Sequence, residues 1–483
     1  MGNLKRDCNI CALLLTAPFI FFPLEAKEQK AIELTGQVTI EHEMGTLQAG
    51  RITATFAGEG EKKLGRLQLT EGAKVTLPSG LCLYCDRGEV DFIAKKGLFY
   101  GRKDCLAQLP AEGKRAELIL TAPTLLLNWD EGNGGAIAAE GGVLLACAES
   151  LVCADKVSYS YTAETILFHK GAGGDARSCL FFPSSAGVVE CDAAIVSLTE
   201  RSITLLKPYG VAAMQQLMAT AVANEACWRE DKQELCFSGD VCIWYGYQAI
   251  LSCPSVALKL LTNRVQPAIP TKNWKVGAAG VQQLKAQGPA RLTYCTPTPW
   301  QLLAPGGLHL DCAAESLLAC SGEVEVGQVL FHSAYGHMAA DSLMIGYSLD
   351  MQTLLRLQSR GDVAVALISR QPEEGWLYAA KADVVEYDVA RRGLSLSASR
   401  QRQVVIYDRE NRLIATSPAL SLTCEVGSAQ LVRGEGDVRF RFVAGDSDFT
   451  CPWADSLATS RAKELFNNKL NDSGAFAPSK AGL

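Results

Sequence analysis

The chain has 483 residues, 48% of them hydrophobic and 20% charged, with a net charge of −6. That composition excludes a disordered or fibrous polymer and leaves room for two or three cores. A slightly acidic balance with scattered Lys and Arg gives no footprint for a nucleic-acid partner.

Lys5 and Arg6 precede an apolar run from Ile10 to Phe22, and Leu24–Ala26 offers a small-residue cleavage point. The run is shorter than the ~20 residues a membrane-spanning helix needs, so residues 1–26 are expected to be a cleaved export signal. All cysteines except Cys8 and Cys11 lie beyond Ala26. In an oxidising compartment such thiols can pair, but Cys147, Cys153, Cys242 and Cys253 sit in strand-like sequence, where a free cysteine packs as a small hydrophobe. A mixture of the two is expected.

Short strands are predicted over Gly36–Ile40 and Gly50–Phe56, then from Leu67 to Tyr100 and from Leu118 to Phe168. Gly132–Gly135 and Gly171–Gly174 are predicted as turns or loops. Between Val211 and Glu234, Met214, Leu217, Met218 and Val222 recur at three-to-four spacing, which predicts a helix. Residues 263–305 hold Pro267, Pro270, Pro289, Pro297, Pro299 and Pro305, so an irregular connection is expected there. It would divide an N-terminal region, 27–262, from a C-terminal region, 306–449, leaving 450–483 as a polar tail with a short helix over Trp453–Leu470.

Leu355–Leu367 carries the clearest pattern. Leu355, Leu357, Val363, Val365 and Leu367 alternate with polar residues or alanine, and Ser359 and Gly361 interrupt the row. Period two marks a strand with one buried face, and the glycine predicts a bulge that turns it. Ser321–Val326 repeats the unit with Val324 and Val326 on one face, as do Gly436–Phe442, Gly36–Ile40 and Gly239–Ile243. A second unit places Asp before an apolar or Tyr position: Ala154–Tyr159, Ala340–Ile345 and Ala382–Tyr387. The intervals from Gly322 to Gly361 and from Gly361 to Gly436 are 39 and 75 residues. Paired units in fixed order favour a stacked β-roll over an ordinary sandwich.

Catalytic motifs are absent: no nucleophile elbow, no P-loop, and no credible dinucleotide fingerprint. Cys82–Cys85 is a C-x-x-C in strand-like sequence without a second pair, so neither a redox helix terminus nor a zinc site is expected. His42, His169, His309, His332 and His337 are the only histidines; His332, His337 and Asp341 could lie near one another but lack metal-ligand spacing. Glu373 and Glu374 follow Pro372 and read as a solvated turn. No cofactor and no enzymatic activity are expected.

The alternating unit followed by the A-D-x-V-x-Y unit resembles the OstA-like (LptA-type) lipopolysaccharide-transport family. The matches are Leu355–Val365 with Ala382–Tyr387, Ser321–Val326 with Ala340–Tyr347, and Gly141–Leu145 with Ala154–Tyr159. They cover 306–443 best and 30–260 more weakly, and the chain departs from the family in length and cysteine content. The resemblance implies an elongated, twisted β-jellyroll of stacked repeats, to which the residues themselves add a minor helix and a polar C-terminal tail. It implies a periplasmic protein, with association at the outer membrane, that carries or bridges lipopolysaccharide or lipid A through an apolar groove. It also implies partners among other β-jellyroll transport proteins, joined by edge-strand addition, and outer-membrane assembly components. The lining candidates are Val324, Val326, Leu343, Ile345, Leu355, Leu357, Val363 and Val365. Two other readings compete: a non-catalytic, cysteine-rich envelope scaffold with a sealed core, and a polysaccharide-acting β-roll enzyme.

Overall fold

The computed structural model describes residues 31–57, 63–111, 117–129, 135–147, 150–160, 164–169, 179–184, 187–214, 217–246, 248–260, 281–295, 299–322, 327–333, 336–347, 354–368, 375–399, 402–425, 428–444 and 449–459. The expected signal 1–26, the loops at 132–134 and 171–174, Pro267, Pro270 and Pro297, Glu373 and Glu374, and the end of the tail lie outside them, as do Val324 and Val326.

Glycines at fixed bends turn long strands into two walls. Strand Leu354–Ile368 pairs with Trp376–Asp388 in a register that slips between Arg360 and Val363, where the sequence predicted a bulge. Gly361 adopts φ +77° there, and Asp362 follows at +39°. The same slip falls at Gly36 between Thr35 and Val38, at Gly141 and Gly142 between Glu140 and Val143, and at Gly239 between Ser238 and Val241. An extra residue on one strand increases local bend and twist. Stacked along the chain, these bends form a corner that divides one antiparallel sheet, of 35 strands among the described residues, into two facing walls. The fold is an all-β stacked roll.

The corner has its own hydrogen bonds. Asp341 N donates to the Gly361 carbonyl at 3.0 Å, and Ser321 N donates to the Asp341 carbonyl at 2.8 Å. Asn224 N donates to Gly239 O and Lys207 N to Asn224 O, each at 2.9 Å. A Cβ on Gly361 would fall 2.2 Å from Asp341 Oδ2. Ala340–Asp341 is thus a corner piece that sits against Gly361 of the next strand, and Asp155 and Asp383 fall opposite the glycine slips of the preceding strands. Asp383 does the same work with its side chain, accepting from Ser399 N at 2.6 Å and Arg402 Nη1 at 3.2 Å.

Several hairpins close with one recurrent turn. Asp91 Oδ1 accepts from Ile93 N and Ala94 N, and Asp311 Oδ1 accepts from Ala313 N and Ala314 N. Asp388 and Asp408 accept in the same manner from Arg391 N and Asn411 N. In each turn the fourth residue after Asp is left-handed: Lys95, Glu315, Arg392 and Arg412, at φ between +49° and +52°. An aspartate that accepts from the turn's own amides holds the backbone while a non-glycine residue takes the unfavourable conformation.

Side chains alternating inward from both walls merge into one apolar interior that runs from Met44 to Leu422. The ladder continues through the proline-rich stretch. Strand Ala249–Leu260 pairs with Val281–Gln287 and Ala290–Tyr294, which pass the pairing on to Gly307–Asp311 and Trp300–Ala304. Pro289 and Pro305 stand at the corner between strands, where no ladder amide is required.

The helix expected over 211–234 is not there. Tyr209–Met214, Leu217–Val222 and Glu225–Arg229 are strands, joined to one another and to Glu234–Tyr245. Buried Ala219 and Ala221 carry the inward alternation, which small residues hide from a hydrophobicity pattern. Strand preference is set by the surface a residue fits, and here the neighbouring strands decide it. The minor helix instead lies at Pro452–Thr459, within the expected C-terminal segment; residues 460–470 of that expectation fall outside the described residues.

This helix covers the outer face of one wall. Ala366 and Ala379 on that face are buried with Trp376 against Cys451 and Ala454, and Tyr407, Phe449, Trp453 and Leu457 surround them. Alanines keep the wall low enough for a helix to lie on it. Trp376 Nε1 donates to Asp455 Oδ1 at 2.8 Å, and Lys381 Nζ stands 5.4 Å from the Trp453 ring centroid.

Candidate functional site

The interior between the walls is the candidate site. Leu343 and Ile345 point into it from strand Ser342–Tyr347, and Leu357 from Leu354–Ile368; beyond the corner Val363 and Val365 enter from the second wall. They are 1%, 2%, 4%, 0% and 5% exposed, so the side chains fill the space between the walls. Ile345 and Leu357 face each other directly across neighbouring strands.

Leu355 is placed elsewhere. The pairing slips between Gly346 and Tyr347, so that Tyr347 lies opposite Leu354 and the alternation changes phase. Leu354 packs against the interior, whereas Leu355 is 47% exposed. Nothing in the Leu-Arg-Leu pattern signals this slip.

Polar side chains are sparse in the buried set. Among the described residues it holds Ser150, Ser359, Ser417, His332 and His337, and no Asp, Glu, Lys or Arg. Ser417 Oγ donates to Glu435 O at 2.7 Å, while Ser359 Oγ lies 2.6 Å from Met338 Sδ. Neutral acyl chains are compatible with such a lining.

His332 and His337 stand directly opposite each other, on the outer face beside Ala366. Their Nδ1 atoms are 2.7 Å apart, so one ring donates and the other accepts. His332 Nε2 is buried without a partner among the described residues. Burial, and then the neighbouring His332, push the His337 pKa down to about 4, and burial lowers that of His332. Asp341 does not join them: its Oδ1 accepts from Gln328 Nε2 at 3.3 Å, at the corner. No group of three or more His, Cys, Asp or Glu suited to a metal ion occurs among the described residues.

Cys82 and Cys85 occupy a four-residue strand, Cys82–Cys85, as the sequence predicted. Burial, Cys105 and Asp86 push the Cys85 thiol up to about 12. Sequence reasoning missed the opposed cysteines, which only strand register reveals: Cys179 faces Cys191, and Cys227 faces Cys236.

No family model matches the chain, and no curated protein matches it. Among solved structures it is similar to LptH, the LptA-homologous periplasmic component of the lipopolysaccharide transport device of Pseudomonas aeruginosa. That likeness covers 30% of this chain and 96% of LptH, at 9% identity and a TM-score of 0.24, too low to carry any functional argument. No helix among the described residues is long and apolar enough to cross a membrane.

Proposed function

We propose that this protein is a non-enzymatic lipid carrier or bridge of the cell envelope, with the space between its two walls as the path for acyl chains of a lipid A-type ligand. The observation that carries the reading is the single apolar interior, continuous from Met44 to Leu422 and free of buried carboxylates, lysines and arginines among the described residues. The lining set is Leu343, Ile345, Leu357, Val363 and Val365, with Val324 and Val326 as its expected continuation.

The protein would act after export, beyond a cleaved segment 1–26, alongside other rolls and outer-membrane assembly components. Its terminal edges suit strand addition. Ile32 and Leu34 on strand Ala31–His42 are 49% and 40% exposed, and Phe440 and Phe442 on Arg439–Phe442 are 52% and 76% exposed. Edge strands with apolar side chains recruit further strands, through main-chain hydrogen bonds and side-chain burial.

A second reading has its own support. The lining residues are packed against one another rather than spread around a slot, which suits a sealed scaffold.

Site-specific photocrosslinking separates the two. A benzophenone side chain would replace Leu343 or Leu357 in the interior, or Leu318, which is 38% exposed, as the control. The carrier reading expects a lipid adduct by mass at 343 and 357 and none at 318 when the folded chain is irradiated with lipopolysaccharide. Folded protein with no adduct at the two interior positions would establish the scaffold.

A further inference from the structure

Cys227 lies on strand Glu225–Arg229 and Cys236 on Glu234–Tyr245, directly opposite each other across an antiparallel pair. Opposed residues in such a pair have Cα atoms about 4.5 or 5.5 Å apart, depending on their place in the hydrogen-bond pattern. Both spacings fall within the roughly 4.4–6.8 Å that a disulfide spans. The register therefore brings the two Cα atoms within reach of a link, and only a small inward shift of the Cβ atoms, which directly opposed residues hold about 4.5–5.5 Å apart, is left to close it.

The flanking residues fix which way these thiols face. Ala226, Trp228, Leu235 and Phe237 are buried in the interior, so Cys227 and Cys236 project from the outer face, where both are half-buried. The contrasting pair, Cys179 and Cys191, is also directly opposed but lies in the core at 0% and 3% exposure. A dissolved oxidant therefore reaches Cys227 and Cys236 before Cys179 and Cys191.

Charge distinguishes the two sulfurs. Burial raises the Cys227 thiol, but Arg229, two residues along the same face, opposes this through its charge and a hydrogen bond. At Cys236 burial and then Glu234 raise the pKa to about 11. Arg229 lowers both thiols by its charge, but its hydrogen bond favours the thiolate at Cys227 whereas the hydrogen bond to Glu234 disfavours it at Cys236, so Cys227 attacks and Cys236 resolves.

We propose that Cys227 and Cys236 form a reversible dithiol–disulfide couple, an external clasp across the hairpin in the middle of the roll. The oxidant is a low-molecular-weight disulfide. The Cys227 thiolate attacks one of its sulfurs, the S–S bond breaks, and the departing thiolate takes up the proton that Cys227 gave up. Cys236, deprotonated in turn, attacks the Cys227 sulfur of the mixed disulfide and expels the second small thiol, which receives the Cys236 proton. Two protein thiols are oxidised and one small disulfide is reduced to two thiols. Reversal needs only an excess of small thiol.

The full chain, reduced and then exposed to glutathione disulfide, would be quenched with an alkylating agent and mapped by peptide mass spectrometry. The clasp expects a Cys227–Cys236 cross-link, lighter by two hydrogens, that forms before any Cys179–Cys191 link and reverses with glutathione. Cys236→Ser should stop at a stable glutathione adduct on Cys227. Slower amide exchange in Glu225–Arg229 of the oxidised wild type would place the link in the folded hairpin. Alkylation of both residues as free thiols after oxidation overturns the proposal. So does a cross-link joining either of them to another cysteine, or one that appears only in denaturant.

Discussion

Lowering the pH from 7 to 5 tests the burial of the His332–His337 pair. With one ring donating Nδ1–H to the other, an added proton must go to a buried imidazole, and His332 Nε2 has no acceptor to receive it. His337 accordingly titrates at about 4 in the folded chain, against 6.5 as the ordinary value. Because the folded pKa is the lower one, the unfolded chain takes up the proton first, and stability falls as pH drops from about 6.5 towards 4. One such group is linked to a loss of about 2 kcal/mol at pH 5 and about 3 kcal/mol below pH 4. The downward shift of His332 adds to the loss in the same direction. Urea unfolding at pH 7 and pH 5 should show the wild type losing about 2 kcal/mol more than His337→Gln. Equal losses in both proteins would refute the account of the pair as a buried neutral unit.

Gly361→Ala should cost about 1–3 kcal/mol in the same assay, since φ is +77° and the new methyl would meet Asp341 Oδ2 at 2.2 Å. Gly346→Ala, whose nearest neighbour would be Arg356 Cβ at 3.7 Å, should cost less than about 0.5 kcal/mol. Trp376→Phe removes the hydrogen bond to Asp455 and should destabilise the helix Pro452–Thr459 by about 1 kcal/mol, read as faster amide exchange in that helix with the walls unaffected. Phe442→Lys should weaken any self-association of the chain through its C-terminal edge, measured by sedimentation, without altering its circular dichroism.

The corner was legible because it combines two signals: a glycine that can take positive φ and a restart of apolar alternation after it. Gly36, Gly239 and Gly361 read correctly on that basis, whereas the unit expected at Gly436–Phe442 did not: its strand is Arg439–Phe442 and Phe440 and Phe442 are exposed. The hairpin turns were not legible, although they recur more regularly. Their left-handed positions are Lys95, Glu315, Arg392 and Arg412, residues that look like ordinary solvated charges, while the aspartate that holds each turn stands four positions earlier. The spacing from Asp to a charged residue at that interval, framed by alternating strands, would have revealed them. Leu355 shows the limit of alternation itself. A bulge across the hairpin moved the phase by one residue, and a slip of one sends a side chain to the other face.

The packed interior and the proposed cargo can coexist only if opening is local. Parting the walls at one level exposes a few side chains such as Leu343, Leu357 and Val363, each contributing about 1.5–3 kcal/mol when buried. An acyl chain of ~12 methylenes returns about 10 kcal/mol when it takes their place. Replacement at one or two levels is therefore near balance, whereas parting the whole roll would far exceed what one chain restores. At the corner itself the levels meet through backbone bonds such as Ser321 N to Asp341 O and Asp341 N to Arg360 O and Gly361 O, and Gly361 places no side chain beyond Cα there. A ligand that advanced level by level would leave the rest of the interior closed. Its adducts should accordingly appear at Leu343 and Leu357 without a general rise in amide exchange along the strands.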